Sequence, residues 1–229
     1  MEMDQFFLAF FNKGETPDKD RDRIDELQAE HLAFQMNLNN QGSSIVHGPL
    51  DDPQGYRLGI TLFPAKDRTT DDIQAIMDQD SRTQAGHFSI EVIPWYTGKD
   101  AIFRNPELGE LTDLIPGEFD QYYFVFLLKG PKWTGEPSER LQKLQEEHLA
   151  YQLKLHQDDY TMIHGPLNDP KPDKSRRGII LVRAEGKTVN DVIEKLSGDP
   201  MVKVDHLAIE ILTWYTGKGI LKSYKEVEA

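Results

Sequence analysis

Residues 27–38 read LQAEHLAFQMNL, and residues 144–155 read LQEEHLAYQLKL. Working outward, VHGPLDDP (46–53) is answered by IHGPLNDP (163–170), and HFSIEVIPWYTGK (87–99) by HLAIEILTWYTGK (206–218). The register follows by subtraction. His31 to His148 and His47 to His164 are both steps of 117, and His87 to His206 is 119, so the second copy carries two extra residues. They fall where Lys-Pro-Asp-Lys-Ser lies, at 171–175. A period this long exceeds the roughly 20–50 residues of a solenoid repeat. It has the size of a small domain. The reading is a tandem duplication: repeat 1 over 1–99, a linker over 100–120, and repeat 2 over 121–229.

Each copy carries the same succession of elements. An apolar, aromatic run opens it, Phe6–Phe11 or Tyr122–Leu128, and predicts a strand. A long helix follows, with Ile24, Leu27, His31, Phe34 and Leu38 on one stripe and Leu141, Leu144, His148, Tyr151 and Leu155 on its counterpart. Ser138 stands where an N-cap belongs. A strand then ends in His-Gly-Pro-Leu, where Gly-Pro stops it. A third strand covers Leu58–Phe63 and Gly178–Val182, and Thr69 and Thr188 are placed to cap a second helix. The last strand is Phe88–Trp95 and Leu207–Trp214. The order βαββαβ predicts an α+β fold of two ferredoxin-like units. Each sheet then has one face without helices, which must be covered. Packing one copy's sheet on the other's gives a dimeric α+β barrel within one chain. This pseudo-dimer leaves further oligomerisation open.

Composition narrows the function. The 229 residues carry a net charge of −13, which argues against nucleic acid and against anionic membrane surfaces. There is no cysteine, so disulfides and thiolate metal sites are excluded. No apolar run approaches the ~20 residues of a membrane span. The start, MEMDQFFLAFFNKG, lacks the basic region and cleavage site of a signal peptide, so a cytoplasmic location is expected. No phosphate loop, Walker motif or nucleophile elbow is present, and no cofactor is expected. The expected partner is a small-molecule ligand.

Six of the seven histidines fall in register, His156 alone facing Asn39. His31 and His148 occupy the apolar stripe of the long helix, where leucine would be expected. A buried, unpaired polar group costs roughly 1–3 kcal/mol, so such a ring needs a partner. The partner would set its tautomer. Three repeated carboxylate pairs are available: Asp80 and Asp199, Glu91 and Glu210, Asp52 and Asp169. Spacing does not choose among them. His47 and His164 end the second strand, and His87 and His206 open the fourth. Three histidines and a carboxylate per copy could satisfy zinc. No HExxH and no histidine pair at i, i+4 occurs, so no metal is expected. The repeated Trp-Tyr-Thr-Gly-Lys (95–99, 214–218) reads first as an aromatic plug at the sheet end.

Together the EHLAxQ helix, the Gly-Pro turn, the Arg-x-Gly strands (Arg57 to Gly59, Arg176 to Gly178), the Asp after the second helix and the xIExxxW strand resemble the YciI-like (YCII-related) family. The resemblance covers both copies, apart from the linker and the C-terminal tail. It implies a ferredoxin-like fold pairing as an α+β barrel, with an active-site His on the first helix and an Asp after the second. Carried onto this sequence, those are His148 with Asp199 and His31 with Asp80. A related dehydrochlorinase implies acid–base elimination chemistry for some members. This chain departs by having Gln28 and Gln145 where the family often has Arg, and Asp80-Ser81 in place of Asp-Pro. The intact Asp199-Pro200 favours the second copy as the active one.

The expected function is therefore that of a small-molecule enzyme using a His–Asp pair for general acid–base chemistry, elimination- or hydrolysis-like. His47, His164, Arg57, Arg176, Glu91 and Glu210 are the candidate substrate-binding residues. The alternative is a non-catalytic ligand-binding or scaffold module in which the histidines are satisfied core residues.

Overall fold

The opening run Phe6–Phe11 contains no polar residue, so it cannot present a wet face. All six side chains are buried, at 4% exposure or less. They lie in the computed structural model on β1 (Met3–Lys13), followed by α1 (Arg21–Asn40), β2 (Val46–Asp51), β3 (Arg57–Pro64), α2 (Thr70–Met77), a single turn α3 (Ser81–Gln84) and β4 (Phe88–Gly98). Then come β5 (Ile102–Arg104), β6 (Phe119–Lys129), α4 (Glu139–Gln157), β7 (Ile163–Pro166), β8 (Arg176–Arg183), α5 (Val189–Leu196), α6 (Pro200–Lys203), β9 (Leu207–Gly217) and β10 (Leu221–Ser223). The structure describes residues 2–16, 20–111, 118–171 and 175–224. Part of the expected linker (112–117) and part of the inserted stretch (172–174) lie outside them.

The chain divides into two compact units, one of residues 1–120 with 214–229, the other of residues 121–213. Both are mixed α+β. In the first, the antiparallel strand order is β4-β1-β3-β2. In the second it is β9-β6-β8-β7. The helices that follow the first and third strands of each unit bury their apolar stripes on the sheet. Leu38, Ile73 and Met77 meet Phe7, Phe11 and Phe63 in the first unit. Leu155, Val192 and Leu196 meet Tyr123, Val125 and Val182 in the second. The alternate residues of the same strands, among them Phe6, Leu8 and Phe10, or Tyr122, Phe124 and Phe126, are buried too, so each sheet is covered on both faces.

Local chemistry fixes the helix starts. Ser138 accepts from Leu141 N at 3.1 Å, and Asp20 caps α1. Thr69 with Asp72, and Thr188 with Asp191, form reciprocal capping boxes. A β-bulge interrupts β1 opposite β3 between Phe11 and Asn12, and β6 opposite β8 between Leu127 and Leu128. Bulges re-aim side chains, and the first places Phe11 against His31 while the second puts Leu127 in the cavity wall that His148 shares.

The repeated Trp-Tyr-Thr-Gly-Lys ends the fourth strand as buried aromatic filling. Trp95 is 2% and Trp214 1% exposed. In the first unit Trp214 Nε1 donates to Gly48 O at 3.2 Å. A Cβ on Gly48 would run into the backbone carbonyl of Tyr215, so glycine is required there by a close approach. Segment 100–111 is ordered: β5 pairs with β10, and the Arg104 guanidinium bonds Asn39 Oδ1 at 2.6 Å and Leu108 O at 2.8 Å. No helix among the described residues is long and apolar enough to cross a membrane.

Candidate active site

α4 carries His148 on its buried stripe, one turn before Gln152. After α5, Asp199 is the N-cap of α6, and its Oδ1 accepts Met201 N at 2.8 Å. The same carboxylate turns its Oδ2 toward α4, where it meets His148 Nδ1 and Gln152 Nε2, each at 2.7 Å. A carboxylate only accepts, so the Nδ1 proton belongs to the histidine and its Nε2 offers a lone pair. No hydrogen bond reaches that Nε2 among the described residues. The ring forms one wall of a cavity of about 230 Å³, shared with Trp133, His164, Arg177, Met201 and Leu207.

The first unit repeats the pair. His31 Nδ1 lies 2.5 Å from Asp80 Oδ2, and Asp80 Oδ1 caps α3 through Arg82 N and Thr83 N. What surrounds the ring differs. Phe11 packs edge-on at 5.1 Å between centroids and Phe88 at 5.3 Å. The Arg82 guanidinium lies 4.3 Å over Phe88 and hydrogen-bonds Gln28. In the second unit these three positions are Leu127, Leu207 and Met201, all lining the cavity. Two shorter side chains and a thioether leave room that two phenyl rings and a guanidinium occupy in the first unit.

Of the three carboxylate pairs, the structure thus brings Asp80 and Asp199 to the helix histidines. Asp169 is engaged elsewhere: it holds Arg176 through Nε at 3.0 Å and Nη2 at 2.7 Å, with both side chains almost fully buried. Burial raises its carboxyl, but the Arg176 guanidinium and the backbone N–H groups of Lys171 and Arg176 outweigh that and bring it down to about 2. Asp52 and Arg57 repeat the contact loosely, at 3.9 Å. Glu91 and Glu210 sit half-buried in β4 and β9, and Glu210 is not in the cavity wall. His87 and His206 are buried, and His206 stacks on Trp133 at 4.6 Å between centroids. Among the described residues no cluster of three or more His, Asp or Glu is arranged to hold a metal ion.

His47 and His164 share an unusual environment. Neither Nδ1 has a hydrogen-bond partner among the described residues. Burial first, then the neighbouring His31, lowers His47 to about 4. Burial, then His156 and His148, lowers His164 to about 4. Both rings are therefore uncharged in the folded protein down to that pH, whereas the unfolded chain protonates near 6.5. The stabilisation is complete above about pH 6.5 and is lost as pH falls from there through 4. We expect the urea midpoint at pH ~4.5 to correspond to a loss on the order of 2 kcal/mol per histidine relative to pH ~7. The double variant H47N/H164N should flatten that dependence, and an unchanged slope would refute the assignment.

Two residues of the cavity escape a reading based on shared motifs, and a third has a role that the motif did not reveal. Trp133 has no aromatic counterpart, and Arg177 stands where the first copy has Leu58. Gln152 was visible in both EHLAxQ segments, one turn beyond the histidine, and its amide proves to be the second donor to Asp199.

A family model matches residues 7–96, the first unit's βαββαβ succession. That segment is similar to a YCII-related domain. The helix histidine, the Gly-Pro turn and Asp80 all lie inside it. The YCII-related match covers less than half the chain, and no curated protein matches the chain by sequence. Several solved structures share the fold. A heme-binding protein from Thermus thermophilus gives a TM-score of 0.55 at 13% identity, over 94% of this chain and 92% of that one. A mutant chlorite dismutase from Candidatus Nitrospira defluvii gives 0.57 at 13% identity, over 94% and 92%. Chlorite dismutase of the same organism in complex with imidazole gives 0.52 at 15% identity, over 93% and 90%. At such identities the likeness is one of fold.

Proposed function

We propose that the protein is a small-molecule enzyme of the YciI-like type, with its working site in the second unit. His148 Nε2 takes a proton from the substrate, or returns one, in elimination- or hydrolysis-like chemistry. Asp199 holds the ring through Nδ1, fixes the tautomer and stabilises the imidazolium as it forms. The observation that carries this reading is the 2.7 Å His148–Asp199 contact at the wall of an open cavity. His31 and Asp80 form the same pair, but the rings of Phe11 and Phe88 crowd it. Both rings keep a small exposure, 13% for the His31 side chain and 10% for that of His148, so it is the lining and not the burial that separates the two sites.

The architecture we infer is a tandem pair of ferredoxin-like βαββαβ units, 1–99 and 121–229 joined by 100–120, closing as an α+β barrel within one chain. Its support is the identical strand order in both units and the burial of both faces of each sheet. The heme carried by one structural neighbour does not suit this chain. The cavity at His148, at about 230 Å³, is below even the roughly 300–1,000 Å³ of drug-sized ligand sites. The larger cavity of the first unit, about 680 Å³, is lined by no histidine, cysteine or tyrosine and offers only the half-exposed Met3 as a soft donor.

Diethyl pyrocarbonate, which acylates a reachable imidazole nitrogen, tests the reading. Peptide mapping should find His148 modified well ahead of His47, whose two nitrogens are buried. A His148 that resists the reagent as His47 does would leave only the scaffold reading.

A further inference from the structure

We propose that Arg177 is the specificity-determining residue of the second unit's cavity, and that the cavity takes a small single-ring organic acid whose anionic group pairs with the Arg177 guanidinium. The inference rests on reading that cavity as a substrate site, and it names the substrate class. The chain carries 39 Asp and Glu against 26 Lys and Arg. Yet no Asp or Glu lines this cavity, and Arg177 is the single Lys or Arg in its wall among the described residues. Asp199 stands behind His148, 1% exposed, with both oxygens bonded.

The two adjacent arginines divide their roles. Arg176 is neutralised by Asp169 in the interior. Arg177 has no carboxylate partner among the described residues, and its guanidinium lies 4.9 Å from the centre of the Trp133 ring. Lys129 Nζ lies 5.7 Å from the same ring. A cation resting on an aromatic face is already oriented and partly stripped of water. Its planar fork matches a carboxylate with two parallel hydrogen bonds. In a chain of net charge −13 the Arg177 cation in the cavity wall makes a local exception that favours an anion.

The rest of the wall sets the body of the ligand. Trp133, Leu149, Met201 and Leu207 are apolar, and about 230 Å³ admits one ring rather than two. His164 adds a hydrogen-bonding edge without a charge, because burial first and then its histidine neighbours lower it to about 4. One cation, no second charge and an apolar slot select a monoanion. The position also changes with the lining: Arg177 corresponds to Leu58 in the unit where Phe11 and Phe88 stand against the helix histidine.

Benzoate and the uncharged, isosteric benzamide test this on the full chain by tryptophan fluorescence. Trp95 and Trp214 are fully buried, so Trp133 reports the cavity. Benzoate should give a saturable change with affinity about tenfold or more above benzamide, the usual advantage of a charge-assisted pair. R177Q should bring benzoate down to the benzamide level, and R177K should fall between. Equal affinities in the wild type, a preference that survives R177Q, or no saturable response to benzoate would each overturn the proposal. The benzoate preference should persist in H148A, and its loss there would also overturn it. A preference that persists while H148A leaves turnover unchanged sinks the acid–base reading and keeps the anion subsite.

Discussion

Asp169→Ala is expected to lower the unfolding free energy by about 3–5 kcal/mol, the range for stranding one partner of a buried ion pair. Asp169 and Arg176 have side chains 0% and 3% exposed. Asp169 accepts from the Arg176 side chain twice and from the backbone N–H groups of Lys171 and Arg176. Alanine would remove the carboxylate that neutralises a guanidinium held in the interior. Asp52→Ala in the first unit should cost less, about 1–2 kcal/mol. There Arg57 Nη1 lies 3.9 Å from the carboxylate and the Arg57 side chain is 16% exposed, and the loss includes the turn bonds to Gln54 N and Arg57 N. Urea unfolding at neutral pH measures both. A loss below about 1 kcal/mol for Asp169→Ala would mean that the Arg176 charge is satisfied without Asp169.

His148→Ala should reduce kcat/KM on a turned-over small acid by about 10²–10⁴, the usual contribution of a positioned acid–base group. His31→Ala should change it less than threefold, because Phe11 and Phe88 stand against that ring. Asp199→Asn sharpens the test. Asparagine is itself a good N-cap, so α6 and the fold should survive. Its amide, however, would place a donor or a weaker acceptor opposite His148 Nδ1, and the preferred tautomer would be lost. The expected fall approaches that of His148→Ala, with melting temperature almost unchanged. Equal losses from His31→Ala and His148→Ala would contradict the account of a crowded first site.

Much of this was legible before any coordinates. Thr69, Thr188 and Ser138 sit where the helices start because cap chemistry is local, and the stripe through His31 and His148 follows from period alone. The partner of the histidine was not legible, since three acid pairs recur and spacing does not rank them. What decides for Asp80 and Asp199 is a single helical turn of four residues, α3 or α6, too short to leave a periodic trace. The strands β5 and β10, three residues each, are invisible for the same reason. Arg177 and Trp133 were hidden by the comparison that made the rest clear: matching the two copies reveals what they keep, and these residues are where they part.

The contrast between Phe11, Arg82 and Phe88 on one side and Leu127, Met201 and Leu207 on the other reaches beyond either site. On the tandem reading proposed above, one gene product holds a vestibule and a differently furnished twin. The twin is an internal control, subject to the same solution, temperature and folding history, against which any signal from its counterpart can be read. Those three exchanges are also the shortest path an engineer has for giving the first unit the furnishing of the second.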